Sequence, residues 1–325
     1  MNADTFRYTY MADFNEDFIK FHDNIEVLKK DEKELVEFHI NLNRHIKELN
    51  QLFEAFRFNL LNLQSSYKLS ASDELIRNKE FGFEVHDMVA INALTISYIS
   101  SGTTLITAIQ VFLRKGFEGF PESFKVSERL KEEWIKQAHA DNFHYRLLYE
   151  LRNYSQHGYF PVSVNGSKYG FDLTQIMSTP YYTHNKRCKE EIESILAKYQ
   201  EFSEYPRLSF TSVIIEYNLF VIRMYVDFLK EVRGAWRESA KRVKTLADQL
   251  KSNVFVTSDK ENNLFVFSLD DGSSFNHIIE LDDMIGMFND RFIHARKIRE
   301  YEESKSRIFY RRLRHHLIKR QAFYS

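Results

Sequence analysis

Cysteine is almost missing from this chain, with Cys188 alone among 325 residues. An internal disulfide framework is thereby excluded, and a reducing compartment fits. Paired-cysteine zinc spacings are excluded with it, so Cys188 reads as an inert core thiol. Glycine and proline are scarce too, at 10 and 4 residues. With few turn clusters and long amphipathic runs between them, the chain is expected to be mainly α. There is no His-Glu-x-x-His string and no phosphate-cradling glycine loop. His139 and His144 flank Asp141, but a spacing of five sends the histidines to different helix faces, and no metal site is read there. The first stretch of chain carries acids and aromatics in place of a basic start and an apolar run, so no secretory leader is read. The expectation is a cytoplasmic protein with no cofactor, no bound metal and no membrane partner.

What is present is apolar surface. At 43% hydrophobic and 15% aromatic residues, the chain can bury a substantial core. Glu32 to Tyr67 predicts one long amphipathic helix with Leu35, Phe38, Leu42, Ile46, Leu49, Leu52, Phe53 and Phe56 on its stripe. Lys68 to Phe83 reads as a connection, and Glu84 to Lys115 as a central helix ended by Gly116 to Pro121. Within it, Met88 to Leu113 is long enough to span a bilayer, but Asn92, Gln110 and Ser100 to Thr104 dilute it, and a buried bundle helix is the reading taken. Ser123 to Ala140 resumes as helix. Tyr159 to Val164 and Lys168 to Leu173 flank Asn165-Gly166 and predict a hairpin. Helices follow over Asn185 to Ser203 and Ser209 to Leu250. A second hairpin, Val254 to Thr257 with Leu264 to Leu269, precedes a last helix over Ser274 to Arg320, whose start holds Asp282 and Asp283. Three regions result: a helical arm over 1–70, a core over 71–250, and a hairpin with a basic helical segment over 251–325.

The chemistry concentrates at the end of one helix. Asp141 to His157 places Phe143, Leu147, Leu151 and Tyr154 on an inward face, and Arg146, Glu150, Asn153 and His157 on a polar stripe beside it. Asn153 and His157 share a side, while Arg152 lies further round with a stem long enough to reach back. Gly158 suits a C-cap and Pro161 forbids continuation, which sets His157 in the last turn, at the end of the helix dipole that suits a cation. Imidazole there is suited to general acid and base work.

The string Arg152, Asn153, three residues, His157 resembles the signature of the HEPN superfamily, small helical domains in which Arg, a polar residue and His mark a ribonuclease site. The resemblance implies a HEPN-like helical bundle, here with extra long helices and one or two short β-hairpins. It also implies a homodimer with two motifs facing each other, and metal-independent cleavage of RNA through attack by the 2′-hydroxyl. His157 would then transfer protons, Arg152 would hold the phosphate and Asn153 would orient either. Tyr159 falls where HEPN toxins carry a tyrosine that a partner nucleotidyltransferase modifies. The implied setting is a toxin or antiphage defence held in check by an antitoxin, by such a nucleotidyltransferase, or by the chain's own additional elements.

The overall charge of −1 is unevenly spread, since Arg291 to Arg320 holds eleven Lys or Arg against three Glu. Arg307, Arg311, Arg312, Arg314, Lys319 and Arg320 alternate with aromatics, a mixture that can bind phosphates and stack unpaired bases. A solvated helix whose aromatics pack on the body fits the same letters. The alternative to an endoribonuclease is a non-catalytic helical scaffold or an RNA-binding protein.

Overall fold

A computed structural model describes residues 10–11, 29–70, 87–115, 140, 142–165, 168–179, 189–190, 192–194, 197, 207–250, 254–258, 264–268 and 281–323. The fold is mainly α. The described residues include helices α1 Lys30–Ser70, α2 Asp87–Lys115, α3 Phe143–Gln156, α4 Leu173–Met177, α5 Phe210–Leu250 and α6 Leu281–Phe323. Two three-stranded antiparallel sheets accompany them. In the first, β1 Tyr10–Met11 pairs with β6 Leu264–Ser268, which pairs with β5 Val254–Ser258; in the second, β3 Lys168–Asp172 lies between β2 Ser163–Asn165 and β4 Arg207–Ser209. Both expected hairpins are therefore present, with Asn165 opposite Lys168 in the first. Each also acquires a third strand of two or three residues, too short to carry an alternation signal. Of the expected helix Asn185 to Ser203, residues 189–190, 192–194 and 197 are helical. Ser123 to His139, Cys188, Asp141 and Gly166 lie outside the described residues.

The chain clusters into two units, one of residues 1–48, 115–126 and 229–294, the other of residues 49–114, 127–228 and 295–325. In the first, α1 starts with Asp31 and Glu32 in its first turn, complementing the helix dipole, and Glu32 accepts the Lys29 backbone N–H at 2.8 Å. Its buried Phe38, Leu42 and Ile46 recur at four-residue steps, as do Val232, Trp236 and Ala240 on α5. Trp236 stacks on Phe288 with ring centroids 4.7 Å apart.

Beside that stack lies a closed ring of hydrogen bonds. Trp236 Nε1 donates to Asn43 Oδ1, and Asn43 Nδ2 donates to His39 Nε2 at 3.0 Å. An amide NH₂ can only donate, so Nε2 accepts and the ring proton sits on Nδ1, which donates to Ser239 Oγ at 2.8 Å. Ser239 donates in turn to the Trp236 carbonyl at 2.9 Å. His39 is held neutral, and burial pushes its pKa down from 6.5 to about 4. Between those values the unfolded chain takes up a proton that the folded chain refuses. Stability is therefore expected to fall as pH drops from about 6.5 to about 4, by at most about 3 kcal/mol from this group. Urea midpoints measured across that window should slope less steeply in His39→Gln than in wild type; an identical slope would remove His39 as the cause.

The second unit is built on an aromatic seam. Phe53 stacks on Tyr225 and Phe56 on Tyr98, while Tyr217 meets Tyr98 edge-on and stacks on Tyr145. The buried hydroxyls are provided for, Tyr217 donating to the Ile99 carbonyl at 3.0 Å, Tyr98 to Asn218 Oδ1 at 3.4 Å and Tyr225 to Asn50 Oδ1 at 3.2 Å. Gly102 of α2 makes room for this seam, because a Cβ there would stand 2.5 Å from the Tyr217 hydroxyl and 3.0 Å from Phe56 Cε2. Gly234 of α5 faces open space. The same substitution should thus act with opposite signs. Gly234→Ala is expected to stabilise by about 0.5–1 kcal/mol through helix propensity, whereas Gly102→Ala should cost about 1–3 kcal/mol through overpacking. Chemical denaturation of both variants would decide it, and stabilisation by both would mean that the seam yields freely.

Among the described residues, Met88–Arg114 is one helix long and apolar enough to cross a membrane; half of that stretch is buried inside the protein.

Candidate functional site

Helix α3 carries the motif, and its ends are fixed locally. Asn142 caps the start, its Oδ1 accepting the Tyr145 N–H at 2.9 Å. At the other end His157 is the C-cap residue, with φ −97° and ψ 16°, and Gly158 follows at φ +88°, the left-handed conformation that glycine adopts without strain. Their N–H groups bond the carbonyls of Tyr154 at 3.2 Å and Ser155 at 3.1 Å. Ser155 Oγ covers the Arg152 carbonyl at 2.7 Å. The motif thus terminates its helix as the sequence implies.

The faces of α3 differ from expectation at Phe143, expected inward but half-buried, and at Arg146. Leu147, Leu151 and Tyr154 are buried as the periodicity requires, and Tyr145 and Leu148 join them. Arg146, expected on the polar stripe, is instead 4% exposed, with Nη1 donating to the Ala140 carbonyl at 2.6 Å. Its stem is long and Nη1 finds a backbone acceptor just before the helix, while its Nε, like that of Arg152, is buried without a hydrogen-bond partner. Glu150 and Asn153 are half-buried and His157 is exposed.

Arg152 is half-buried, and its Nε is shut off from water without a hydrogen-bond partner. Among the described residues no ion pair engages it. Its charge is felt by two buried phenols: burial pushes Tyr145 and Tyr217 far above the ordinary tyrosine range, and the Arg152 cation pulls both the other way. Among the described residues, the cation is accordingly set beside neutral hydroxyls that do not neutralise its charge. That condition suits an anion.

The chain beyond His157 is pinned. Tyr159 is half-buried and stacks on Tyr154 with centroids 4.8 Å apart. Burial raises the Tyr154 pKa, with Tyr159 adding to the rise and a hydrogen bond from Thr179 opposing it. Pro161 and Val162 are buried, and the backbone of Val162 is held on both sides by Asn92 of α2. Asn92 Oδ1 accepts the Val162 N–H at 2.9 Å, while Nδ2 donates to the Val162 carbonyl at 3.0 Å and to the Met88 carbonyl at 2.9 Å. Sequence reasoning noticed Asn92 only as a polar interruption in an apolar helix. That isolation was the available signal, since a fully buried amide must have partners.

The basic helix α6 divides in two. Upstream, Arg299 pairs with Asp227 at 3.4 Å and Glu303 at 3.8 Å, Arg296 with Glu300 at 2.9 Å, and Lys305 with Glu302 at 3.6 Å. Downstream, Arg307, Arg311 and Arg312 are exposed, while Arg314, Lys319 and Arg320 lie on the helix with their side chains outside the described residues. Tyr310, read as a possible stacking ring, donates its hydroxyl to Glu216 at 2.7 Å and ties α6 to α5. No group of three or more His, Cys, Asp or Glu that could hold a metal ion occurs among the described residues. No family model, curated protein or solved structure matches this chain.

Proposed function

We propose that the chain is a HEPN-like, metal-independent endoribonuclease of the toxin or antiphage-defence type, acting in the cytoplasm as a homodimer. The observation that carries this reading is that the helix ended by the exposed His157 also carries Arg152, whose Nε is buried without a hydrogen-bond partner and which no ion pair engages among the described residues. In the proposed reaction the ribose 2′-oxygen loses its proton to a base and attacks phosphorus. The bond from phosphorus to the 5′-oxygen breaks, and that oxygen takes a proton from an acid. A 2′,3′-cyclic phosphate and a free 5′-hydroxyl remain. Two proton-transfer groups are needed, and the His157 residues of two chains would supply them. Arg152 would balance the charge that builds on the phosphate oxygens, and Asn153, on the His157 side of the helix, would orient the imidazole or the phosphate. An uncontrolled RNA cutter would harm its host, so an antitoxin or a nucleotidyltransferase acting on Tyr159 is the proposed regulator. The half-burial of Tyr159 against Tyr154 means that such an enzyme would have to lift the ring from its stack.

The second reading, RNA binding without cleavage, draws on the exposed Arg307, Arg311 and Arg312. One experiment separates the two. Purified protein is incubated with total RNA and a tRNA pool in excess EDTA, and the product ends are analysed. Cyclic phosphates from wild type and none from His157→Ala are expected. Inactive wild-type protein, or equal cleavage by both proteins, would count against the nuclease.

A further inference from the structure

We propose that Phe160 is a stacking platform for an unpaired base, so that the RNA accepted at the His157 site is single-stranded; this rests on the nuclease reading above. A lone exposed apolar side chain is ordinary on a protein surface. Phe160 is set apart by the fixed backbone on either side of it. Before it, Gly158 closes the helix in a left-handed turn and Tyr159 is stacked on Tyr154. After it, Pro161 is buried and Val162 is clamped through both its N–H and its carbonyl by Asn92. Between these anchors Phe160 remains 55% exposed. Little further backbone ordering is needed when a ligand stacks on a ring presented in this way.

Position adds to the argument. Phe160 follows His157 by three positions, so their Cα atoms lie at most about 11 Å apart. A short length of single strand can touch both. Of the other strongly exposed aromatics among the described residues, Tyr301 already carries the Lys305 ammonium 4.5 Å from its ring centroid, and Phe58 stands on α1. In duplex RNA the base faces are occupied by their neighbours, whereas an unpaired base offers a free face to an aromatic ring, whatever its identity. The platform therefore selects for strandedness and leaves base sequence largely unread.

The test uses the full chain carrying His157→Ala, to prevent turnover, with and without Phe160→Ala. Binding of a fluorescein-labelled oligoadenylate is followed by anisotropy, alone and annealed to its complement, and the variants are first checked by thermal melting. Loss of the ring is expected to weaken single-strand binding roughly tenfold and to leave duplex binding unchanged, with Phe160→Trp restoring affinity and its indole emission quenched by the bound strand. Equal single-strand affinity with and without the ring, or no binding at all, would overturn the proposal. Cleavage by the wild-type chain, assayed in parallel, shows whether the nuclease reading fails with it or stands without it.

Discussion

Replacing His157 by alanine is expected to slow RNA cleavage by about 10²–10⁴-fold and to leave the unfolding midpoint almost unchanged. The imidazole is exposed, and the helix end it occupies is closed by backbone bonds from His157 and Gly158 that alanine retains. Arg152→Met should behave differently. Removing a group that balances charge in the transition state costs about 10²–10³-fold in rate. Yet the Nε of Arg152 is buried without a partner, and no acid among the described residues loses a mate when it goes. A methionine of similar length fills the same space with no polar group to desolvate, so stability should hold or rise by up to about 1 kcal/mol. Activity lost together with stability gained is the signature of a residue kept for its chemistry. Single-turnover rates and urea midpoints on the same preparations give both quantities. A clear loss of stability in Arg152→Met with no loss of rate would identify Arg152 as a structural cation and dissolve the proposed site.

Trp236→Ala is the second large expectation, and it concerns folding. The indole is fully buried, stacks on Phe288 and lies 5.8 Å from the His39 ring by centroid. Truncating a buried Trp to Ala costs about 3–5 kcal/mol. Here it also opens the hydrogen-bond ring, leaving Oδ1 of the half-buried Asn43 without its donor, a loss of about 1 kcal/mol. Trp236→Phe keeps most of the volume and removes only the donor. It should therefore show the smaller term nearly alone, apart from a modest packing loss. Equilibrium denaturation of the pair separates packing from hydrogen bonding, and equal destabilisation by Phe and Ala would mean that the ring of bonds, not the indole's bulk, dominates. The ring also accounts for the pH dependence assigned to His39. Its tautomer is dictated by Asn43, and a second proton on the imidazole would face the Asn43 NH₂, which can only donate, while Oδ1 is taken by Trp236.

The exposed Arg307, Arg311 and Arg312 carry the same charge as the paired Arg296, Arg299 and Lys305, but the latter lie within one helical turn of Glu300, Glu302 and Glu303, and no acid follows Glu303 in the sequence. Only the second partner of Arg299, Asp227, lies far off, more than seventy residues away. Similar reasoning covers Tyr310. Its place in a basic-aromatic run fitted either base stacking or packing on the body, and its hydroxyl is engaged by Glu216 on another helix.

By itself, the sequence determined the features that repeat or terminate within a few residues. The helix Lys30–Ser70 was legible because Phe38, Leu42, Ile46, Leu49, Phe53 and Phe56 recur at the helical period. The end of the motif helix was legible because Gly158 accepts a positive φ, and the hairpin Ser163 to Asp172 because Asn165-Gly166 favours a tight turn. Tertiary structure alone decided the rest. It turned Arg146 inward, joined Tyr10–Met11 and Arg207–Ser209 to their sheets, gave Asn92 the backbone of Val162 and closed His39 onto Ser239 across 200 residues. Period and capping are set by backbone geometry over one or two turns, so the local letters specify them. A buried polar group requires only some partner of the right kind, and which distant residue answers is decided when the elements pack.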